Sequence, residues 1–293
     1  MVERSTEARH SASLGLHRRS ADVILAALLD AQRAAVESVR PAFADIARAS
    51  DTAAEILARG GKVGYAGAGS SGLMALADCL ELAGTFGVAP EQTPMMFAGG
   101  AESLIRLRGS AEDDAAMAQA DFHAADLSTG DMVIVLTASG TTPYAMAIAE
   151  AARARGVVVV GMANATEAPL HLYSDIPILL DTGAELVAGS TRMGAATAQK
   201  VALNMFSVLM AVRLGHVHDG YMVNVIADNA KLVRRAARIV SEIAEVSADM
   251  AEAALIATKG AVKQAILVAR GMEPERAQVA LAESDGHLEP LLG

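Results

Sequence analysis

Gly67-Ala68-Gly69-Ser70-Ser71-Gly72 follows a short apolar run, residues 62–66, and opens a helix-like segment, residues 73–82. The hexapeptide therefore lies where a strand is expected to turn into a helix. Free backbone N–H groups and the positive end of the helix dipole converge at such a turn, and serine hydroxyls add hydrogen bonds to phosphate oxygens. The same hexapeptide also fits a tight structural turn that uses glycine for its shape.

A second loop of this kind is Ala138-Ser139-Gly140-Thr141-Thr142-Pro143, which follows another apolar run. It opens another helix, with Pro143 expected at the first helical position. Two hydroxyl-rich loops after strands of one sheet can meet at a topological switch point and form a compact phosphate site. Two ordinary helix caps are the structural alternative.

The first loop also matches the G-x-G-x-x-G pattern of dinucleotide-binding proteins. That pattern needs an acidic residue at the end of the next strand to hold the ribose, and here the next strand ends in Ala98-Gly99-Gly100. The pair of loops therefore favours a sugar-phosphate site over a dinucleotide groove, and we expect no nucleotide or other cofactor.

Short apolar runs bounded by Gly, Ser, Asp or Pro predict strands that are covered on both faces. A helical segment over residues 144–155 is typical of the connections between them. This alternation predicts an α/β fold, a doubly wound parallel sheet with right-handed crossovers. The predicted strands are residues 63–66, 94–98, 132–137, 157–162 and 176–180.

Helical segments flank the predicted sheet on both sides in the sequence. Residues 20–59 predict two helices with a break near Pro41, and from Ser190 onward the strand signal disappears. The later helices are expected over residues 191–214, 223–245, 247–258, 261–270 and 274–283. We therefore divide the chain into an N-terminal helical arm (1–60), a sugar-phosphate-binding domain (61–245) and a small C-terminal helical module (246–293), whose first helix Ser247 caps.

The composition limits the partners. The 24 Lys and Arg against 34 Asp and Glu give a net charge of −10, which argues against nucleic acid. One cysteine and a charged start to the chain lead us to expect a cytoplasmic protein. The longest uncharged run, residues 132–149, contains Ser-Gly-Thr-Thr-Pro, so we expect no membrane span. The 53% hydrophobic content favours an oligomer, which we take to be a homodimer.

Two other features have plain structural interpretations. His216 and His218 with Asp219 would need a third metal ligand, and none is identifiable, so no metal site is expected. The lone Cys79 is interpreted as a small packing residue.

The two loops resemble the sugar-phosphate loops of the sugar isomerase (SIS) domain, and the wider pattern is similar to the N-acetylmuramic acid 6-phosphate etherase family. The similarity covers nearly the whole chain in the same order. Besides the loops it rests on Thr6-Glu7, Phe97-Ala98-Gly99-Gly100, Ala111-Glu112-Asp113, Gly183-Ala184-Glu185, Gly189-Ser190-Thr191-Arg192-Met193, Thr197-Ala198-Gln199-Lys200 and Leu203-Asn204-Met205.

This resemblance implies a carbon–oxygen lyase that eliminates D-lactate from the sugar phosphate and then adds water, giving N-acetylglucosamine 6-phosphate. Such chemistry needs two carboxyl groups. The resemblance assigns the acid to Glu81 and the base to Glu112, and it favours a substrate contact for Arg192. The phosphate-binding residues expected from the two loops are Gly69, Ser70, Ser71, Ser139, Gly140, Thr141 and Thr142.

Without the resemblance, we interpret Glu81 as a solvated glutamate near a helix end, and we interpret Glu112 as part of a solvated acidic turn. Three positions lack a cation that the etherase pattern usually has: Leu73, Thr141 and Gly194. Two alternatives therefore stay open. One is a sugar-phosphate sensor without turnover, resembling the glucokinase regulatory protein, and the other is an aldose–ketose isomerase on the same fold.

Overall fold

The computed structural model describes residues 6–227 and 229–293. The chain forms two compact units. The first contains the residues up to Cys79 together with Glu91–Phe206, and the second contains Leu80–Pro90 together with Ser207–Gly293. These limits differ from the three segments expected from the sequence, and the division at residues 60 and 245 stays a prediction.

In its described residues, the first unit is built on a sheet of five parallel strands. The strands are β1 (Val63–Gly67), β2 (Met95–Phe97), β3 (Met132–Thr137), β4 (Val158–Ala163) and β5 (Ile176–Leu179). Their order in the sheet is β2-β1-β3-β4-β5. This confirms the predicted α/β class and the doubly wound parallel sheet, with strand limits within two residues of those expected.

The central strands are apolar throughout because helices cover both faces of the sheet. Every residue of β1 and β3 is buried. The register places Tyr65 beside Ile134 and Ile134 beside Val160, so that large side chains line up across the middle of the sheet. Such continuous burial is typical of parallel sheets and explains the absence of polar alternation in these runs.

Among the residues that the structure describes, seven α-helices belong wholly or partly to the first unit. They are α1 (Ala21–Glu37), α2 (Phe43–Ala58), α3 (Gly69–Phe86), α4 (Gly100–Ile105), α5 (Ala115–Ala125), α6 (Pro143–Ala154) and α7 (Gly194–Arg213). The predicted break between α1 and α2 is confirmed at the turn Arg40–Ala42, where Pro41 removes a backbone donor. Helix α3 is longer than predicted, because its helical bonding starts inside the first loop, where Gly72 N donates to Ala68 O at 2.9 Å.

The second unit contains a short hairpin and a group of helices. These elements are β6 (Val217–His218), β7 (Tyr221–Met222), α8 (Ala230–Ala244), α9 (Ala248–Ala257), α10 (Val262–Ala269), α11 (Pro274–Glu283) and α12 (Glu289–Leu292). The expectation of no strand after Ser190 was wrong here. Asp219 and Gly220 both adopt positive φ, as a two-residue hairpin turn requires, and β6 and β7 pair antiparallel. The predicted cap at Ser247 is confirmed, since its hydroxyl accepts from Met250 N at 3.3 Å.

Helix α7 is, among the described residues, the one helix long and apolar enough to cross a membrane. Of its most apolar stretch, 56% is buried within the protein. Ala198, Leu203 and Phe206 are almost fully buried. More than half of its apolar stretch therefore packs inside the protein.

Candidate active site

The strand order places the two hydroxyl-rich loops side by side. The chain goes from β1 outward to β2 and then returns to β3 on the other side of β1, so the order reverses between β1 and β3. Gly67 at the end of β1 is in register with Leu136 near the end of β3. The loops that follow these strands leave the sheet at the same carboxyl edge, where open α/β sheets bind ligands.

The glycines of the first loop allow β1 and α3 to approach each other closely. A Cβ atom on Gly67 would lie 2.9 Å from the backbone of Gly72, and one on Gly72 would lie 2.7 Å from the ring of Phe97. These two glycines therefore have a packing role, which agrees with the interpretation of the hexapeptide as a tight structural turn. Ser70 and Ser71 fall in the first turn of α3, where free N–H groups point out of the helix.

The hydroxyls of the second loop form two hydrogen-bonded pairs, one of them with Thr137 at the end of β3. Ser139 Oγ and Thr141 Oγ1 are 3.1 Å apart, and Thr137 Oγ1 and Thr142 Oγ1 are 2.8 Å apart. Gly140 adopts φ +72°, which favours glycine. Pro143 is the first residue of α6, as expected.

Glu112 is brought to these loops by three contacts. A Cβ atom on Gly69 would lie 2.5 Å from Glu112 Oε1, so the carboxylate fills the space beside the first loop. The backbone carbonyl of Glu112 accepts from Tyr144 N at 3.0 Å, at the start of α6 behind the second loop. The preceding residue, Ala111, is buried against Gly99 at the end of β2. Glu112 therefore lies where the carboxyl ends of β1, β2 and β3 meet.

The environment of Glu112 favours its neutral form. The side chain is half-buried, and burial raises the pKa of its carboxyl group, with the negative charge of Asp113 as a second cause. A carboxylate with a raised pKa holds a proton more strongly and is a better acceptor in proton transfer near neutral pH. This environment is not the solvated turn that the acidic run alone predicted.

Tyr144 anchors α6, the helix whose first turn binds the backbone carbonyl of Glu112. Its side chain is fully buried, and its hydroxyl donates to Asp121 Oδ2 on α5 at 2.5 Å. Burial, together with Asp121, raises the pKa of Tyr144. Tyr144 was not predicted as a site residue from the sequence, although a tyrosine directly after Pro143 at the start of an apolar helix is a signal that could have indicated it.

Glu81 is placed differently from Glu112. Its side chain is exposed, and α3 continues to Phe86, so that Glu81 does not stand at the helix end as expected. It follows Gly69 by twelve residues on this one helix, which at 1.5 Å per residue is about 18 Å along the helix axis. The structure therefore gives Glu81 no place beside the first loop of its own chain.

A buried polar network links the second loop to the start of α7. Asn164 N donates to Ala138 O at 3.0 Å, and the Asn164 side chain donates to Leu180 O at 3.1 Å. Gln199 on α7 is fully buried and donates to Asn164 Oδ1 at 2.9 Å. Neither Asn164 nor Gln199 was selected as a site residue from the sequence.

Glu185 supplies the cap of α7. It is almost fully buried, and its carboxylate accepts from Gly194 N and Ala195 N, both at 2.9 Å. A carboxylate at the positive end of a helix dipole is favourable. Arg192, which is exposed, stands on the turn directly before this cap. Glu185 and the Asn164 network therefore fix the turn that carries Arg192.

The remaining candidates from the sequence are the His216, His218 and Asp219 group and the lone Cys79. Within residues 6–227 and 229–293, no group of three or more His, Cys, Asp and Glu side chains is arranged to hold a metal ion. Burial, with Lys263 nearby, lowers the pKa of His216 to about 4. The Cys79 thiol is buried and donates to Thr93 O at 3.2 Å, and burial raises its pKa to about 11. A packing role for Cys79 fits this environment.

Comparison with known proteins identifies close relatives. Residues 29–164 match the SIS domain family. The chain is 40% identical to the N-acetylmuramic acid 6-phosphate etherase of Deinococcus radiodurans, over 99% of this chain and 95% of that protein. It is 38% identical to the etherase of the same name from Serratia proteamaculans, over 98% of this chain and 97% of that protein.

The fold has relatives among solved structures. A Bacteroides fragilis structure, described as a candidate phosphosugar isomerase involved in capsule formation, superimposes with a TM-score of 0.52. The match covers 67% of this chain and 93% of that chain at 19% identity, so it supports the fold alone.

Proposed function

This chain belongs to the N-acetylmuramic acid 6-phosphate etherase family, and from that membership we propose that it cleaves the lactyl ether of N-acetylmuramic acid 6-phosphate. The products are N-acetylglucosamine 6-phosphate and D-lactate. The protein is thus a carbon–oxygen lyase of amino-sugar catabolism and cell-wall recycling. The observation that carries the proposal is the position of Glu112 at the switch point of the sheet, where its carboxylate lies beside the first hydroxyl-rich loop and its backbone carbonyl accepts from Tyr144 N on the helix after the second.

The two loops bind the phosphate. Backbone N–H groups at the start of α3 face an anion favourably, and the Ser and Thr hydroxyls of both loops complete its hydrogen bonds. Arg192 adds a charged contact from the turn before α7. The proposed phosphate and substrate contacts are Gly69, Ser70, Ser71, Ser139, Gly140, Thr141, Thr142 and Arg192.

Glu112 acts as the base. It removes the proton on the carbon beside the carbonyl of the ring-opened sugar, and the lactyl oxygen leaves from the next carbon. The raised pKa of Glu112 supports this role, because a stronger base accepts the proton more readily. Water then adds to the resulting double bond.

Glu81 acts as the acid in the site of a second copy of the chain. It is exposed and lies about 18 Å along α3 from the first loop of its own chain. The neighbouring Leu80 is 67% exposed, and helix α1 presents Leu25 and Leu29, which are 62% and 51% exposed. Apolar side chains exposed in this way favour burial against another protomer, so we propose a soluble, cytoplasmic homodimer whose sites are shared.

The direct test is release of D-lactate from N-acetylmuramic acid 6-phosphate by the purified protein, with product analysis of the sugar. The etherase proposal requires equal amounts of D-lactate and N-acetylglucosamine 6-phosphate. A ketose phosphate without lactate would show an isomerase. Recovery of unchanged ligand that nevertheless raises the Tm would show a sensor.

A further inference from the structure

Two arginines lie on the short segment between α4 and Glu112. Arg106 directly follows α4, and Arg108 begins the turn Gly109–Ala111 that leads into Glu112. The turn is closed by two backbone hydrogen bonds, from Ala111 N to Arg108 O and from Glu112 N to Gly109 O, both at 3.1 Å. The backbone of Arg108 is therefore fixed one turn before the proposed base.

Neither guanidinium group is engaged within the chain. Arg106 and Arg108 are exposed, and in the part of the chain that the structure describes neither makes a side-chain hydrogen bond or an ion pair. The same segment is not packed against the protein, since Ile105 is 91% exposed and Leu107 is 53% exposed. Both arginines are thus available to a bound ligand.

The proposed substrate needs positive charge near Glu112. The proton that Glu112 removes and the lactyl oxygen that leaves are on neighbouring carbons, so the lactyl carboxylate lies within a few ångströms of the base. Two carboxylates at such a distance repel each other unless a cation lies between or beside them. Arginine suits this role because its planar fork binds a carboxylate through two parallel hydrogen bonds.

The positions where the etherase pattern has cations do not supply this charge. Leu73 is apolar, and Thr141 has a neutral hydroxyl that is hydrogen-bonded to the hydroxyl of Ser139. Gly194 has no side chain, and its N–H is bound to the Glu185 carboxylate. On the segment that leads directly into Glu112, the described residues offer two exposed cations, Arg106 and Arg108.

We propose that Arg106 and Arg108 bind the carboxylate of the 2-hydroxy acid group of the substrate, replacing the cations that the loops lack. They determine specificity for the acidic ether substituent, while the two loops bind the phosphate. This inference rests on the proposed etherase function.

The test compares two ligands that share the phosphate and the acetamido group but differ in the carboxylate. N-acetylmuramic acid 6-phosphate carries the carboxylate, and N-acetylglucosamine 6-phosphate lacks it. In Arg106→Ala/Arg108→Ala, KM for the first should rise at least about tenfold, the loss expected for a charge-assisted hydrogen bond. The inhibition constant of the second should stay within about twofold, and lysine at both positions should recover part of the loss.

The matched control is Arg59→Ala, an exposed arginine after α2 and before the amino end of β1, which should leave both ligands unaffected. An unchanged KM in the double variant would overturn the proposal, as would an equal loss for both ligands, which would indicate a phosphate contact. If the wild type releases no lactate, the etherase function fails separately. The ratio of the two Kd values, measured by calorimetry in wild type and double variant, then decides the role of the arginines.

Discussion

The carboxylate of Glu112 occupies the space that a side chain at position 69 would need. A Cβ atom on Gly69 would lie 2.5 Å from Glu112 Oε1, and Gly69 itself adopts φ +53°. The first loop is therefore more than a proposed phosphate-binding turn, because its one glycine with positive φ also makes room for the proposed base. This contact couples the proposed base to the proposed phosphate site.

Gly69→Ala should displace Glu112 and strain the loop. We expect kcat/KM for lactate release to fall at least about a hundredfold, as a misplacement of about 1 Å does, and the free energy of unfolding to fall by at least about 1 kcal/mol. The control is Gly84→Ala on the same helix, where a Cβ meets nothing within 4 Å. It should stabilise the protein by about 0.5 to 1 kcal/mol in urea unfolding, which is the opposite of the change expected for Gly69→Ala.

Glu112→Gln should separate activity from stability. Loss of the base should lower kcat by about 10² to 10⁴. Because burial raises the folded-state pKa of Glu112, the folded protein gains stability from this group below the unfolded pKa and loses it as the pH rises through the folded pKa. The variant should therefore have a higher Tm than wild type at pH 7, and the difference should shrink toward pH 4. A lower Tm at pH 7 would contradict the burial argument.

Asp113→Asn should move the pH profile of the reaction. Asp113 is the second cause of the raised Glu112 pKa, so its neutralisation should shift the acidic limb of kcat/KM to lower pH. The same charge change in Asp249→Asn, on α9 of the second unit, should leave the limb in place. An acidic limb that does not move in Asp113→Asn would argue that another group titrates there.

Mixing two inactive variants should restore activity if the acid comes from a second copy. A dimer of Glu81→Gln with Glu112→Gln has one site with both glutamates and one with neither. After subunit exchange, an equal mixture should regain roughly a quarter of the wild-type rate of lactate release. If both glutamates served the site of one chain, every site in the mixture would lack one of them, and no activity would return.

Glu185→Ala should weaken the start of α7. Loss of a buried carboxylate that accepts two backbone hydrogen bonds should cost about 1 to 3 kcal/mol in urea unfolding. The turn that carries Arg192 depends on this cap, so the Kd for N-acetylglucosamine 6-phosphate should also rise. Ser247→Ala removes the cap of α9 and should cost about 1 kcal/mol without changing that Kd. An unchanged Kd in Glu185→Ala would argue against Arg192 as a phosphate contact.

Local sequence patterns predicted most of the first unit correctly. Runs such as that of β3 have no polar alternation and end at glycine or hydroxyl residues, so the limits of these strands could be predicted from the sequence. The β6–β7 hairpin was missed because each strand has two residues, too few to show a period. The N-terminal limit of α7 was missed because Glu185, nine residues before Gly194, caps the helix in place of a local side chain.

The sequence by itself determined the parallel sheet, the two hydroxyl-rich loops and the family, because these depend on the periodicity and spacing of neighbouring residues. Only the tertiary structure decided that Glu112 lies against Gly69, that Tyr144 holds it there, and that Glu81 is exposed on α3. Those relationships join residues far apart in the chain. They depend on the order of strands in the sheet and on side-chain packing, which no local pattern encodes.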